Sequence, residues 1–220
     1  MNSAVPFSGL HVLADDDPRW PQSPVDQAEA ACAGGASVIQ LRIKHATDSQ
    51  ALEWAQAIRS MTRRAGVLFV LNDRFDLAMA AGADGLHLGQ DDMPADRIPK
   101  EALAKLAIGL STHNLDQASA AAKAGPNYVA FGPIFGTQSK ASPETAPGLE
   151  ALEQAVRQVA PLPLVAIGGI NGGNIRAILD TGASGAAVIS AVAAAANPIS
   201  ATRELAKLFD KNQNRDREEK

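Results

Sequence analysis

Eight short runs of β-forming residues recur along this chain, each followed by a stretch with helical period, and no other feature limits the fold as much. The runs are LHVLA (10–14), SVIQLR (37–42), VLFVLN (67–72), GLHLG (85–89), AIGLS (107–111), YVAFGPI (128–134), PLVAIGG (163–169) and GAAVIS (185–190). Helical patterns occupy 25–33, 48–64, 74–81, 94–104, 115–124, 148–159, 173–181 and 199–209. Gly steps in AAGADG, AKAGPN and DTGASG supply helix stops, and Asp48, Asn114 and Asn171 stand where N-caps belong. Strict strand–helix alternation predicts a parallel sheet covered by helices. Eight units within 220 residues predict one closed (β/α)8 TIM barrel over residues 1–210, followed by a charged tail, 211–220, that frays into solvent. The competing architecture is an open doubly wound sheet, but no G-x-G-x-x-G fingerprint follows the first strand.

Composition narrows the function. A formal charge of −4, from 20 basic and 24 acidic residues, gives no general attraction to nucleic acid or a membrane surface, so any anion site must be local. No apolar run reaches the roughly 18 residues of a transmembrane helix, and no basic segment followed by an apolar core opens the chain. The expected location is therefore the cytoplasm. The single cysteine, Cys32, excludes an internal disulfide and reads as a structural thiol at a helix end.

In a parallel barrel all strand C-termini open on one face, so polar residues at strand ends converge there. Gln40, Arg42 and Lys44 alternate with Ile39 and Leu41 and so share one face of the second strand and its extension. They suit an anion and heterocycle site, or else a core ion pair with an acid elsewhere. Asn72-Asp73 and Asp91-Asp92 end consecutive strands and offer oxygen ligands of the kind Mg2+ takes, although Asp73 also fits a helix N-cap. His87 points inward, as a core or a catalytic histidine, and Ser111-Thr112-His113 closes the fifth strand with groups for capping or chemistry. Thr137, Ser139 and Lys140 bring two hydroxyls and an ammonium to a long loop. Gly168-Gly169 and Ile189-Ser190 end the seventh and eighth strands, where barrels often hold a phosphate by backbone N–H groups. Two different anion sites imply two phosphorylated small-molecule substrates.

The segments QLRIK, ND, HLGQDD, STH, FGPIFGTQSK, IGGI and VIS, in this order from about residue 9 to about 209, resemble the thiamine phosphate synthase family. The resemblance implies a Mg2+-dependent enzyme that joins a pyrimidine-methyl diphosphate to a thiazole phosphate and releases diphosphate. It implies pyrimidine diphosphate contacts from the Gln40, Leu41, Arg42, Ile43, Lys44 stretch, Asn72, Ser111 and Lys140, of which Arg42, Lys44, Ser111 and Lys140 act in catalysis. It further implies Asp73 and Asp92 as ligands of one Mg2+, with Thr137, Gln138, Ser139, Gly169, Ile189 and Ser190 on the thiazole phosphate. Ile43 stands where Glu is more usual. NGGN replaces a Thr-Pro-Glu-Asn type of helix start, which predicts a looser loop. A sister reading is a thiazole tautomerase using His113 or His87, which has no use for Asp73, Asp92 and Lys140 together. A binding protein without turnover is a further alternative, and a homodimer through the outer helices is compatible with so small a barrel.

Overall fold

The computed structural model describes residues 7–136 and 146–218, with 210–218 as backbone only. Thr137, Gln138, Ser139 and Lys140 therefore lie outside the described residues.

Eight parallel strands close on themselves in chain order, β1 pairing with β8. They are β1 (Gly9–Asp15), β2 (Val38–Arg42), β3 (Leu68–Asn72), β4 (Gly85–Leu88), β5 (Ala107–Thr112), β6 (Tyr128–Phe131), β7 (Leu164–Ile167) and β8 (Gly185–Val188). The (β/α)8 barrel expected from the alternation is the observed fold. Around it run α1 (Pro24–Gly34), α2 (Asp48–Ala65), α3 (Phe75–Ala81), α4 (Lys100–Leu103), α5 (Leu115–Lys123), α6 (Gly148–Val159), α7 (Ile175–Asp180), α8 (Ser190–Ala193) and α9 (Pro198–Glu218). No helix among the described residues is long and apolar enough to cross a membrane.

Period-two alternation divides the apolar residues into two cores. Leu10, Val12, Ile39, Leu41 and Leu71 face the helices, and Leu13, Val38, Val70, Tyr128 and Val165 fill the barrel interior. Each fully buried Leu or Ile contributes about 1.5–3 kcal/mol, which fixes strand register, because a one-residue slip would turn every such side chain to the wrong core. The same alternation sends Asp15, Arg42, Asn72 and Ser111 to the inner face at its upper rim. Register places Asp15 beside Arg42 and Asn72 beside His87.

Helix boundaries follow local chemistry. Ser23 caps α1 in a reciprocal box with Asp26, and Thr47 rather than Asp48 caps α2. Asn114 caps α5 as expected, and Asn174 rather than Asn171 stands at the start of α7. Gly82, Gly125 and Gly182 take the left-handed conformation that the three Gly steps predicted. The long helix expected over 94–104 breaks into a 3-10 turn (Ala95–Arg97) and the four-residue α4. Pro99 disfavours helical geometry in the residue before it, and Ile98 is extended (φ −73°, ψ 138°). At the other end, no Gly or Pro follows Pro198, and α9 continues through Glu218, beyond the expected boundary at 210.

Candidate active site

The charged half of the barrel mouth begins at the end of β1. Asp15 is 2% exposed and accepts three hydrogen bonds: from Arg42 Nη1 (2.6 Å), Asp17 N (2.9 Å) and Trp20 Nε1 (3.0 Å). Its own backbone is clasped by the buried Gln27 amide, which accepts from Asp15 N and donates to Asp15 O. Arg42 is thus an ion-paired residue of the rim, and its Nε is buried without a hydrogen-bond partner among the described residues. The two readings of Arg42 merge here: a core ion pair fixes one arm of a guanidinium that stands at the mouth. Asp16 grips the next segment with both oxygens, accepting from Lys44 N (2.7 Å), His45 N (2.8 Å) and Ala46 N (2.8 Å). Leu41 and Ile43 pack with the helix-side core, so only their backbone faces the mouth.

Lys44 Nζ reaches Asp73 Oδ2 at 2.6 Å. Asp73 has φ 67°, a conformation that few residues other than Gly and Asn or Asp tolerate, while its N–H donates to His87 O. It does not stand at the N-cap of α3, which is Arg74 with no side-chain capping bond. The strained backbone instead turns the carboxylate toward Lys44 and Asp92. Asp92 Oδ2 accepts from Gly89 N (2.6 Å), and Asp91 is exposed, which separates the two members of that pair. Burial and the adjoining Asp73 carboxylate push the Asp92 carboxyl above its ordinary value, against the pull of Gly89 N–H and Lys44. Among the described residues the two carboxylates adjoin one another beside the Lys44 ammonium, which pairs with Asp73, a set that suits a further positive charge. Mg2+ commonly takes one or two carboxylates and completes its shell with water and substrate phosphate, so Asp73 and Asp92 fit it. Among the described residues no group of three His, Cys, Asp or Glu side chains is placed to hold a metal.

The interior below this rim is tightly paired. Gln40 Nε2 lies 3.5 Å from Asn72 Oδ1, and both residues are buried. His87 bridges Tyr128 OH (Nδ1, 2.8 Å) and Ser111 Oγ (Nε2, 2.7 Å). Ser111 Oγ is engaged by His87 and Thr112 Oγ1 donates to Ala130 O, so neither hydroxyl caps α5, whose cap is Asn114; the Ser111 carbonyl accepts from Gln90 Nε2. His113 Nδ1 lies 2.6 Å from Gly132 O.

Among its described lining residues the other half of the mouth has no Asp, Glu, Lys or Arg. A pocket there is lined by Ser111, His113 and Pro133, by Gly168-Gly169 and by Ile189-Ser190. Gly168 (φ 102°) is required: a Cβ there would lie 2.4 Å from Pro133 Cα. The expected looseness of NGGN is corrected by its hydrogen bonds. Asn174 Oδ1 accepts from Asn171 N and its Nδ2 donates to Gly169 O, while Asn171 Oδ1 accepts from Gly173 N. β8 ends at Val188 and passes through Ile189 directly into α8, a short helix absent from the sequence expectation. Ser190 and Ala191 open that helix, so their N–H groups have no acceptor within it.

The structure thus brings Gln40, Arg42, Lys44, Asn72, Asp73 and Asp92 to one side, and Gly169, Ile189 and Ser190 to the other, with Ser111 between them. Sequence reasoning missed Asp15 and Asp16, although three successive acids after the first strand (ADDD) were the available signal. Cys32 takes no part: burial pushes its thiol up to about 11, which keeps it protonated and inert.

The family model described as Thiamine monophosphate synthase matches residues 10–192. A thiamine-phosphate synthase of Chloroflexus aurantiacus is 44% identical over 204 residues, 93% of this chain and 94% of that one. One of Chlorobium limicola is 42% identical over 208 residues, covering 94% and 97%. The solved thiamine phosphate pyrophosphorylase of Pyrococcus furiosus superposes with a TM-score of 0.85 at 38% identity, covering 96% of this chain and 99% of that one. The chain belongs to the thiamine monophosphate synthase family and is a transferase enzyme.

Proposed function

We propose that this enzyme transfers the 4-amino-2-methylpyrimidin-5-ylmethyl group from its diphosphate to the ring nitrogen of a thiazole phosphate, releasing diphosphate and forming thiamine phosphate. The observation that carries the reading is the division of the mouth: paired carboxylates with Lys44 and Arg42 on one side, and backbone N–H groups at two glycines and a helix start on the other.

In this reading Asp73 and Asp92 hold Mg2+. When bound there, the ion would supply Lewis-acid charge toward the leaving group. Arg42 and Lys44, with Lys140 from the loop, neutralise the charge that develops on the diphosphate as the carbon–oxygen bond lengthens. Asp15 and Asp16 keep both described cations in place without reorganisation. Gln40 and Asn72 orient the aminopyrimidine, whose ring electrons stabilise the methylene cation left behind. The Gly169 and Ile189-Ser190 backbone anchors the thiazole phosphate so that its nitrogen faces that carbon. Because the aminopyrimidine stabilises the methylene cation, the substitution is dissociative, and the thiazole nitrogen rather than a protein group is the nucleophile. Thr137, Gln138 and Ser139 complete the thiazole side.

The tautomerase reading has one observation in its favour, His113 in the wall of the neutral pocket. It leaves the Asp73–Asp92–Lys44 cluster without a task. Diphosphate release, measured with each substrate alone and with both, with and without Mg2+, separates the two. The synthase reading expects release only with both substrates and the metal, reduced at least about 100-fold (~2.7 kcal/mol of barrier) in Asp92→Ala. No release from the native enzyme, with thiazole phosphate still bound, would overturn it in favour of the isomerase.

A further inference from the structure

The barrel interior carries a line of polar contacts that the reaction above does not use. Tyr128, the only tyrosine of the chain, is 2% exposed at the start of β6. Its ring stacks on Phe7 (5.0 Å between centroids) and meets the edge of His11 (5.7 Å). It also spans the barrel toward β4, because the residue beside it in register, on β5, is Gly109. A Cβ at Gly109 would lie 2.1 Å from the Tyr128 ring, so only glycine leaves this path open. The phenol oxygen then meets His87 Nδ1 at 2.8 Å, and His87 Nε2 meets Ser111 Oγ at 2.7 Å.

The proton inventory orders this line. A buried hydroxyl proton left without an acceptor is costly, and His87 Nδ1 is the acceptor in reach of Tyr128 OH among the described residues. Burial raises the Tyr128 pKa far above neutrality, so the phenol stays a donor. A neutral imidazole that accepts at Nδ1 carries its proton at Nε2. Nε2–H therefore donates to Ser111 Oγ, and the Ser111 hydroxyl proton turns away from His87. Ser111 also lines the pocket at the mouth, between the charged and neutral halves, with its carbonyl fixed by Gln90.

We infer that Tyr128 and His87 are positioning residues: through the sequence Tyr128 OH to His87 to Ser111 Oγ they set one imidazole tautomer and thereby present the Ser111 hydroxyl proton to an acceptor oxygen of the pyrimidine diphosphate. The inference rests on the reading of the mouth as a pyrimidine diphosphate site. It assigns His87 a role other than proton transfer to substrate, since both ring nitrogens are engaged by protein groups. It also gives Gly109 a reason beyond strand packing.

Tyr128→Phe keeps the ring, its stack on Phe7 and the fit against Gly109 while removing the one hydroxyl. The first test needs no turnover: nitrogen-15 NMR of the imidazoles, with the His87 signals identified by their loss in His87→Gln. The native enzyme is expected to show His87 protonated at Nε2, and Tyr128→Phe to redistribute the proton between the two nitrogens. Native protonation at Nδ1, or an unchanged tautomer in Tyr128→Phe, overturns the inference whatever the enzyme catalyses. The second test is a double-mutant cycle on diphosphate release. Tyr128→Phe is expected to lower kcat/KM for the pyrimidine diphosphate about 10-fold, the effect of one lost hydrogen bond, with KM for the thiazole phosphate unmoved. In the Ser111→Ala background the same substitution should have no further effect. Fully multiplicative losses would show that Tyr128 acts by another route and sink the relay. An absence of diphosphate release in the native enzyme would instead sink the reading of the mouth, and the tautomer would still be decided by the NMR.

Discussion

On the proposed reading, the two halves of the barrel mouth solve the same problem, holding a phosphate group, by opposite means. From β1 to β4 the rim is built of side-chain charge: Asp15 on Arg42, Asp16 on the Lys44 segment, Lys44 on Asp73, and Asp73 facing Asp92. From β7 to β8 it is built of backbone: two left-handed glycines, a loop tied by Asn171 and Asn174, and the first turn of α8. On that reading the difference follows from what each half would be asked to do. A leaving diphosphate gains charge as it departs and needs strong, fixed counter-charge. A phosphate that serves only as a handle keeps its charge throughout, and dipoles suffice. The charged half must also keep its cations in position while no ligand is present, which explains the two acids behind them.

The largest effect expected on this comparison comes from unpairing one cation. Asp15→Asn leaves the Arg42 guanidinium, only 12% exposed, without its counter-charge. Removing one partner of such a pair typically costs about 3 kcal/mol or more. The Trp20 and Asp17 hydrogen bonds to the same carboxylate remain available to an asparagine oxygen, so the loss isolates the charge. In the neutral half, Asn174→Ala removes single neutral hydrogen bonds and should cost about 1 kcal/mol. Urea denaturation midpoints of the two variants, measured at one pH and salt, make the contrast direct. Equal losses would mean that the Asp15–Arg42 pair holds little more than a loop tie does, and the division into charged and backbone-built halves would lose its energetic meaning.

How much of this was legible beforehand differs between the halves for the same physical reason. Side-chain charge is written in residue identity, so Arg42, Lys44, Asp73 and the Asp91-Asp92 pair stood out, and their places at strand ends followed from the alternation. Identity alone did not say which aspartate of the pair turns inward; Asp92 does so because Gly89 N–H captures its carboxylate. Asp15 and Asp16 went unread because acids after a strand resemble a solvated turn until the register puts Asp15 beside Arg42. Backbone sites are written only in what is missing. Gly168-Gly169 was legible as a pair of absent side chains. α8 was not, because the short run Ser190–Ala193 follows a strand of the same small residues with no cap or break to mark it. The 94–104 helix failed for a nearby reason: its apolar period is real, but two prolines, Pro94 and Pro99, override it.

A smaller and more selective effect is expected at Gly168. Alanine there meets φ 102° and the Pro133 Cα at 2.4 Å, so the β7 loop must shift. The shift moves the N–H groups that face the neutral pocket and leaves Arg42, Lys44 and Asp73 untouched. KM for the thiazole phosphate should rise about 10-fold, equivalent to ~1.4 kcal/mol, while KM for the pyrimidine diphosphate stays within about twofold. A rise in both constants together would show that the halves are mechanically coupled through the Ser111 wall they share.

The smallest effect is the one that needs no substitution. Long-range attraction between exposed charges is screened over about 10 Å at 0.1 M salt, whereas short hydrogen bonds from a fixed backbone are screened far less. Lys44, 44% exposed at the rim, is the cation most open to this screening; Arg42, largely buried against Asp15, is shielded from it. Raising ionic strength from about 0.05 M to about 0.3 M with an inert monovalent salt should therefore raise KM for the pyrimidine diphosphate about threefold and leave KM for the thiazole phosphate almost unchanged. Lys44→Gln should flatten the first dependence because it removes the screened charge, and Ser190→Ala should leave it intact. Parallel salt dependence for both substrates would mean that the thiazole phosphate also relies on side-chain charge. The lysine to suspect would then be Lys140, and the backbone-built half would be only part of its site.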